Sequence, residues 1–309
     1  MQRFHPTPRP QTLHNKVLKD LAERRFMPTT AHRLELRTAT TLGMDDDVRA
    51  ALERLQLLAK SRKVGVAGQF MPDRGVSAQL ASLGILENIE EADFFRVKTV
   101  ATPFCGISSR QRGAWQEAGY SFEDLTSPKV RRAQVALGLL KMEGAQALVI
   151  GRHEDPESLA ISGGNSAVKI LEDTTDTARL MFAPAFGAVC QTTLSPQRVA
   201  WLVQQLRLRW RDARVTFLDT NSPSMMAREE ALERLLPACD RVVIVGETGE
   251  ASCEALAETA LKRGKPANVV AVPEEMDLLE FRPGEKLALT AGGFATDEAI
   301  RAVAAALGR

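Results

Sequence analysis

The chain has 309 residues, of which 44% are hydrophobic, and its formal net charge is +1. This length suits several folded domains, and the near-zero charge excludes the basic surface that nucleic-acid binding requires. No apolar run approaches the ~18–20 residues that span a bilayer, so we expect no contact with a membrane. The four cysteines are widely spaced, and the first residues lack the apolar segment of a secretory signal. Both features favour the cytoplasm.

The chain begins with a segment whose composition differs from the rest. Residues 1–32 are rich in proline and polar side chains, and we interpret them as an N-terminal arm. Their pattern predicts one short polar helix within the arm. Such an arm is available to dock on a partner subunit, so a homo-oligomer formed through it is one expectation. The first domain follows at residues 33–127, with a strand predicted over 34–39 and a helix over 48–60.

One pattern recurs along the rest of the chain: an apolar, β-branched run, a short loop rich in glycine, serine and threonine, and an amphipathic helix. Examples of the apolar run are residues 147–150, 188–190 and 242–245. Short apolar runs that alternate with helical periodicity predict βα units with buried parallel strands. We therefore predict an α/β protein with two further domains, at residues 128–217 and 218–309.

Two residues offer a route to covalent chemistry in the loops after strands, where parallel sheets bind their ligands. Cys105 stands between a predicted strand and a helix start, and we expect the helix dipole to lower the pKa of its thiol. His153 is the single histidine beyond the N-terminal arm, and an oriented histidine activates a cysteine if the fold brings the two together. The alternatives are a buried structural cysteine and a solvated loop histidine.

A second route is acid/base chemistry in the loop after the run at 147–150. Asp155 and Glu157 flank Pro156 there, and two such carboxylates transfer protons if burial raises the pKa of one of them. The same residues are also typical of an ordinary helix start, with Asp155 as the N-cap and the proline in the first turn. Thr192 and Thr193 carry the same two alternatives, ligand binding or capping of the next helix.

The sequence contains no strong metal-ligand pattern. The run Asp45-Asp46-Asp47 is interpreted as the acidic start of a helix, where carboxylates favour the helix dipole. Cys239 is expected to be structural, and Cys253 lies at a helix start. Because no cysteine or histidine pair has zinc-ligand spacing, we expect no metal site.

Six short stretches in the second half of the chain together resemble one protein family. They are Gly151 to Glu157, Gln191-Thr192-Thr193-Leu194-Ser195, Ala227-Arg228-Glu229-Glu230-Ala231, Val245-Gly246, Arg263-Gly264-Lys265 and Leu289-Thr290-Ala291-Gly292. Together they resemble the LytB family, the 4-hydroxy-3-methylbut-2-enyl diphosphate reductases of isoprenoid synthesis. Their separations match those of the family from about residue 95 to the end. The resemblance implies three similar α/β domains around a pseudo-threefold axis, with a central cavity where the strand-end loops converge.

The resemblance also implies which positions are functional, and this chain has different residues at many of them. Family members hold a 4Fe–4S cluster through three cysteines, one from each domain, and the corresponding positions here are Gly43, Ser127 and Ser222. Serine is a poor replacement, because iron–sulfur clusters favour soft thiolate ligands. We therefore expect the fold without the cluster, and no cofactor.

The positions that face the diphosphate in the family are also changed. The family's histidines correspond to Pro72, Cys105 and Asp155, its Ser-x-Asn loop to residues 250–252, and its late serine to Phe294. The residue at position 250 is a glutamate, and its carboxylate repels a diphosphate because the two charges have the same sign.

We predict from these observations a LytB-like enzyme that acts on a small polar or anionic metabolite in the central cavity, by acid/base or cysteine-covalent chemistry. A transferase, lyase or hydrolase reaction is favoured over reduction. Two alternatives stay open: a non-catalytic binding or scaffold protein on the same fold, and a reductase whose cluster has other ligands. The candidate catalytic residues are Glu157, Asp155, Cys105 and His153. The candidate substrate-binding residues are Thr192, Thr193, Ser127, Ser222 and Ser252.

Overall fold

The computed structural model describes residues 34–90, 93 and 96–308. The predicted N-terminal arm, residues 1–32, lies outside the described residues. Within the described part of the chain, no helix is both long and apolar enough to cross a membrane.

Strands and helices alternate along the chain. The strands are β1 Glu35–Thr38, β2 Val64–Val66, β3 Thr99–Ala101, β4 Ser121–Glu123, β5 Gln146–Ile150, β6 Lys169–Leu171, β7 Ala185–Cys190, β8 Arg214–Phe217, β9 Arg241–Val245, β10 Ala267–Val270 and β11 Lys286–Ala291. The α-helices are α1 Asp46–Ala59, α2 Arg74–Ser82, α3 Ser109–Glu117, α4 Pro128–Met142, α5 Pro156–Ser162, α6 Thr174–Arg179, α7 Pro196–Arg209, α8 Pro223–Leu235, α9 Ala251–Lys262 and α10 Asp297–Leu307. Short 3-10 helices cover Leu236–Ala238 and Pro273–Leu278.

The strands form three separate parallel sheets. Their strand orders are β2-β3-β4, β6-β5-β7-β8 and β1-β11-β9-β10. Each sheet is parallel because a helix or a long connection carries the chain back to the end of the sheet where the previous strand began. The α/β class is therefore confirmed, and three small sheets are consistent with the pseudo-threefold arrangement that the resemblance implies.

Strand β1 lies in a different sheet from the one that the sequence indicates. We predicted it as the first strand of the domain at 33–127, but it pairs with β11, with Leu36 opposite Leu287. Leu36 packs against the apolar cluster of the third sheet, which includes Val303 of helix α10. The chain then crosses to the first sheet, where Val48 and Leu55 of α1 are buried. Strand β1 thus packs on the core of the third sheet and helix α1 on the core of the first sheet, although the two are neighbours in the chain.

Helix caps at the ends of the strands position the polar side chains. Ser108 caps α3 through a reciprocal capping box with Gln111, and Ser127 accepts a hydrogen bond from the N–H of Lys129 at the start of α4. Asp155 caps α5, and Glu250 caps α9. Since each cap comes directly after a strand-end loop, these N-termini lie at the edge where parallel strands end.

Candidate functional site

A cavity of about 640 Å³ lies where the strand-end loops of the three sheets meet. Its walls contain residues from each of the three predicted domains. The predicted site residues that line it are Cys105, Ser127, Asp155, Glu157, Thr192, Thr193, Ser222 and Ser252. The positions that match the family's diphosphate site also line it, namely Pro72, Glu250 and Phe294. The structure thus brings these residues to one cavity, while their roles stay predictions.

His153 does not belong to this group. Its side chain is about half exposed, and Nε2 lies 2.8 Å from the carboxylate of Asp176 in α6. Its backbone N–H donates to Glu172 at 2.9 Å. The predicted pairing of His153 with Cys105 is therefore wrong, because His153 does not line the cavity and its ring pairs with Asp176 instead.

Cys105 lines the cavity as a neutral thiol. Burial raises the pKa of this thiol to about 12, and the negative charges of Glu157 and Asp155 contribute to the rise. We predicted the opposite direction from the nearby helix start. The helix N-terminus is occupied by the side chain of Ser108, which accepts from the N–H of Gln111 at 3.1 Å. Desolvation and two carboxylates therefore outweigh the helix dipole at this cysteine.

Glu157 is a buried acid in the wall of the cavity. Only 7% of its surface is exposed, and Oε1 accepts a hydrogen bond of 2.5 Å from the N–H of Thr192. Burial and the charge of Asp155 raise the pKa of Glu157 to about 7. Asp155 itself accepts from the N–H of Glu157 at 2.9 Å as the N-cap of α5. The helix-start interpretation of this loop is confirmed, and the cap places a second carboxylate beside the buried one. A role in proton transfer stays a prediction.

Gln191 organises the same wall of the cavity, although we did not predict it as a site residue. It is fully buried, and its amide donates to the hydroxyl of Thr193 at 3.0 Å. Its carbonyl accepts from the hydroxyl of Ser158 at 3.1 Å. A side chain at Gly151 is excluded, because its Cβ would lie 2.2 Å from that hydroxyl. The position of Gln191 in the Gln-Thr-Thr stretch is the signal by which the sequence could have identified it.

Glu250 and Ser252 form a connected unit on the third domain. Ser252 donates its hydroxyl hydrogen to Glu250 at 2.7 Å and accepts from the N–H of Gly293 at 2.8 Å. Glu250 also accepts from the N–H groups of Ser252 and Cys253. Gly292 allows this close approach, since a Cβ there would lie 2.4 Å from the Glu250 carboxylate. The carboxylate is thereby fixed at the cavity wall.

The three positions that correspond to the family's cluster cysteines contact other polar groups. The hydroxyl of Ser127 donates to Asp47 at 3.3 Å, and that of Ser222 lies 2.6 Å from the Ser224 hydroxyl. The carbonyl of Gly43 accepts from Arg228 at 2.7 Å. Each position is thus part of a hydrogen-bonded arrangement built from oxygen and nitrogen atoms.

A charged network joins these positions. We call Asp45, Asp47, Lys129, Ser224 and Arg228 the central ion-pair network. Nζ of Lys129 lies 2.7 Å from Asp45, 3.2 Å from Asp47 and 3.2 Å from Ser224. Asp45 also pairs with the guanidinium of Arg228 and accepts from Ser224.

This network lies in the interior, and its charges compensate one another. Only 2% of the Arg228 side chain is exposed, against 14% for Asp45. Burial acts to raise the pKa of Asp45, but the Arg228 charge and the contacts of Lys129 and Ser224 hold it below its ordinary value. The acidic run at 45–47 does begin a helix as predicted, since α1 starts at Asp46. The side chain of Asp45, however, makes long-range ion pairs instead of a cap.

The remaining cysteines lie away from the cavity surface. Cys190 and Cys253 are fully buried, and Cys239 is 3% exposed in the core of the third domain. Burial raises the pKa of Cys190 to about 11. Among the residues that the structure describes, no three histidine, cysteine or acidic side chains are grouped as metal ligands.

Comparison with known proteins identifies the family. The family model described as LytB protein matches residues 38–308 of the chain. The chain belongs to the LytB family.

Two diphosphate reductases are similar to this chain over most of its length. The 4-hydroxy-3-methylbut-2-enyl diphosphate reductase of Symbiobacterium thermophilum is 25% identical over 284 residues, which are 87% of this chain and 95% of that protein. The reductase of the same name from Methylibium petroleiphilum is 28% identical over 201 residues, 64% of this chain and 61% of that one.

Solved structures show the same fold. The E-1-hydroxy-2-methyl-but-2-enyl-4-diphosphate reductase of Plasmodium falciparum superposes with a TM-score of 0.80 and 21% identity, covering 87% of this chain and 86% of that one. A second structure, of an (E)-4-hydroxy-3-methyl-but-2-enyl diphosphate reductase, gives a TM-score of 0.62 at 21% identity, covering 89% of this chain and 99% of that one. At these identities the likeness establishes the LytB fold alone.

Proposed function

We propose that this LytB-family protein is an enzyme that works without an iron–sulfur cluster and uses Glu157 for proton transfer on a small polar metabolite in the central cavity. A transferase, lyase or hydrolase reaction fits this chemistry. The observation that carries the proposal is a buried carboxyl group, with a pKa of about 7, in a cavity lined by all three domains.

The residues present do not fit the 4Fe–4S cluster that the family resemblance implies. The matched positions Gly43, Ser127 and Ser222 provide no thiolate, and hard oxygen atoms are poor ligands for such a cluster. The cations of Lys129 and Arg228 lie among these positions and are already paired with Asp45. This polar network supports the loss of the cluster, and the proposed reaction therefore contains no redox step.

Glu157 has the properties of a general acid/base. With a pKa of about 7, both its protonated and its ionised forms are populated at neutral pH, so it donates and recovers a proton with little driving force in either direction. The N–H of Thr192 fixes the carboxyl group from one side. The charge of Asp155 favours the protonated form, in which Glu157 gives its proton to a substrate.

Cysteine-covalent chemistry is the weaker of the two routes. A thiol whose pKa is about 12 contains almost no thiolate at neutral pH, and the histidine expected to activate it is paired elsewhere. Cys105 therefore contributes a neutral surface to the cavity in this proposal.

Two measurements test the proposal. The first is iron and acid-labile sulfide in protein purified without oxygen. We expect both far below stoichiometry. Stoichiometric values with broad absorbance near ~400 nm would instead support a reductase with other cluster ligands.

The second measurement is conversion of a metabolite extract, followed by mass spectrometry, with the wild type and Glu157→Gln. We expect the wild type to convert at least one component and the variant to bind that component without converting it. An Asp173→Asn variant is a matched control, because Asp173 caps helix α6 outside the cavity lining. Binding without conversion by the wild type would favour the non-catalytic binding protein.

A further inference from the structure

The charges that line the central cavity fall into two groups. The charged lining residues are Asp45, Lys129, Asp155, Glu157, Arg228 and Glu250. Lys129 and Arg228 both pair with Asp45, and Lys129 also contacts Asp47. The central ion-pair network is therefore neutral as a unit, and it leaves no unpaired cation in the lining that the structure describes.

The other three carboxylates have no cationic partner among the described residues. Asp155 and Glu157 accept from backbone N–H groups, and Glu250 accepts from backbone N–H groups and the Ser252 hydroxyl. The charges of Asp155 and Glu250 both act to raise the pKa of Glu157. The cavity thus carries an uncompensated negative charge on the walls formed by the second and third domains.

Another part of the wall is apolar and partly aromatic. The rings of Phe104 and Phe294 meet edge to face with centroids 5.9 Å apart. Phe104 directly precedes Cys105, whose thiol experiences the charges of Glu157 and Asp155. The other large apolar side chains of the lining are Val48, Phe70, Met71, Ile107, Val130, Leu159 and Met225.

We propose that the natural ligand of this cavity is an amine: a molecule with a positively charged nitrogen at one end and an apolar body at the other. This inference rests on the proposed function, because it concerns the same cavity. The ammonium group lies among Asp155, Glu157 and Glu250, and the apolar body packs against Phe104 and Phe294. Carboxylates without a cationic partner attract such a cation and repel an anion, and an aromatic surface packs well against an apolar body.

The proposal revises the charge of the metabolite that we expected from the sequence. The family resemblance favoured a polar or anionic substrate, and helix N-termini at the strand ends favour anions in general. Here the N-termini of α5 and α9 are already capped by carboxylates, Asp155 and Glu250. The N–H groups that would hold an anion are thereby used within the protein.

The experiment compares three probes with the same carbon skeleton: phenylbutylamine, phenylbutanol and phenylbutyrate, with inorganic diphosphate as a fourth. Binding to the full chain is measured by titration calorimetry at about pH 8, where Glu157 is mostly ionised. We expect the amine to bind about tenfold tighter than the alcohol, equivalent to ~1.4 kcal/mol. The carboxylate and diphosphate should bind more weakly than the alcohol.

Matched variants connect the preference to these carboxylates. Asp155→Asn retains a residue that caps helices well and removes one charge, so amine affinity should fall about tenfold and alcohol affinity should not change. Glu157→Gln should act in the same direction. The control Asp173→Asn changes a capping aspartate of the same kind outside the cavity lining and should leave amine affinity unchanged.

The inference fails if the alcohol or either anion binds as tightly as the amine, if no probe binds, or if Asp155→Asn, shown to be folded by thermal melting, keeps the full amine preference. None of these results bears on the proposed function, which is judged by iron content and by conversion in Glu157→Gln. If the alcohol or the carboxylate binds the wild type but not the Glu157 variant, the cavity is a binding site and only its preference for a cation is rejected.

Discussion

Removing the carboxylate of Asp45 should destabilise the protein more than removing the arginine that it pairs with. Asp45→Asn removes the negative charge that compensates the buried guanidinium of Arg228, whose Nη1 lacks a hydrogen-bond partner and whose Nη2 also donates to the Gly43 carbonyl. An uncompensated buried charge costs about 3–5 kcal/mol. We expect a loss of about 3 kcal/mol, since 14% of the Asp45 side chain is exposed.

Three companion variants test whether the loss of stability follows the buried charge that each substitution leaves unpaired. Arg228→Met should cost less than Asp45→Asn, because Asp45 then keeps its ion pair with Lys129 at 2.7 Å. The double variant should resemble Arg228→Met, so the two substitutions should not be additive. Arg234→Met breaks an exposed pair with Glu230 and should cost below about 0.5 kcal/mol.

The assay is urea unfolding of all four variants, with the free energy of unfolding taken from the midpoint and slope. The sign of the pH dependence is also determined. The pKa of Asp45 is lowered in the folded state from its ordinary value of 3.8, so its stabilising contribution is present above that pH and is lost as the pH falls through the folded value. An Asp45→Asn cost as small as that of Arg234→Met, or full additivity in the double variant, would refute the ion-pair argument.

Three further outcomes are expected. Because the pKa of Glu157 is raised from 4.5 to about 7, its contribution to stability is present below about pH 4.5 and is lost as the pH rises to about 7. The free energy of unfolding of Glu157→Gln should therefore equal that of the wild type at pH 4.5 and exceed it by up to about 3 kcal/mol at pH 8. Cys105 should react with iodoacetamide at pH 7 far more slowly than a free cysteine, and alkylation at the rate of a free thiol would contradict its raised pKa. Gly292→Ala should lower the free energy of unfolding by about 1–3 kcal/mol in urea titrations, because its Cβ would overlap the Glu250 carboxylate, and an unchanged midpoint would contradict that contact.

The central ion-pair network connects the three predicted domains where their strand-end loops meet. Asp45 precedes α1, Lys129 lies in α4, and Arg228 lies in α8, so one set of contacts connects all three predicted domains. In the proposed function, these charged oxygen and nitrogen groups stand where soft cluster ligands would otherwise be needed.

Local features of the sequence determined much of the architecture. The apolar runs at 147–150 and 242–245 predicted buried parallel strands, and both positions hold strands in the structure. Asp155 was recognisable as a helix cap because that interaction spans only two residues. The LytB stretches predicted that the strand-end loops meet in one cavity, and the cavity contains eight of the nine candidate site residues.

Only the tertiary structure decided the features that depend on distant parts of the chain. Asp45 and Arg228 are separated by 183 positions, so no local pattern indicates their ion pair, and the pairing of β1 with β11 likewise depends on two separate cores. The pKa of Cys105 follows from burial and from carboxylates on another domain, which reversed the direction that its own loop indicated. Periodicity and capping are short-range properties that a sequence displays directly, whereas desolvation and charge interactions act between residues that only folding brings together.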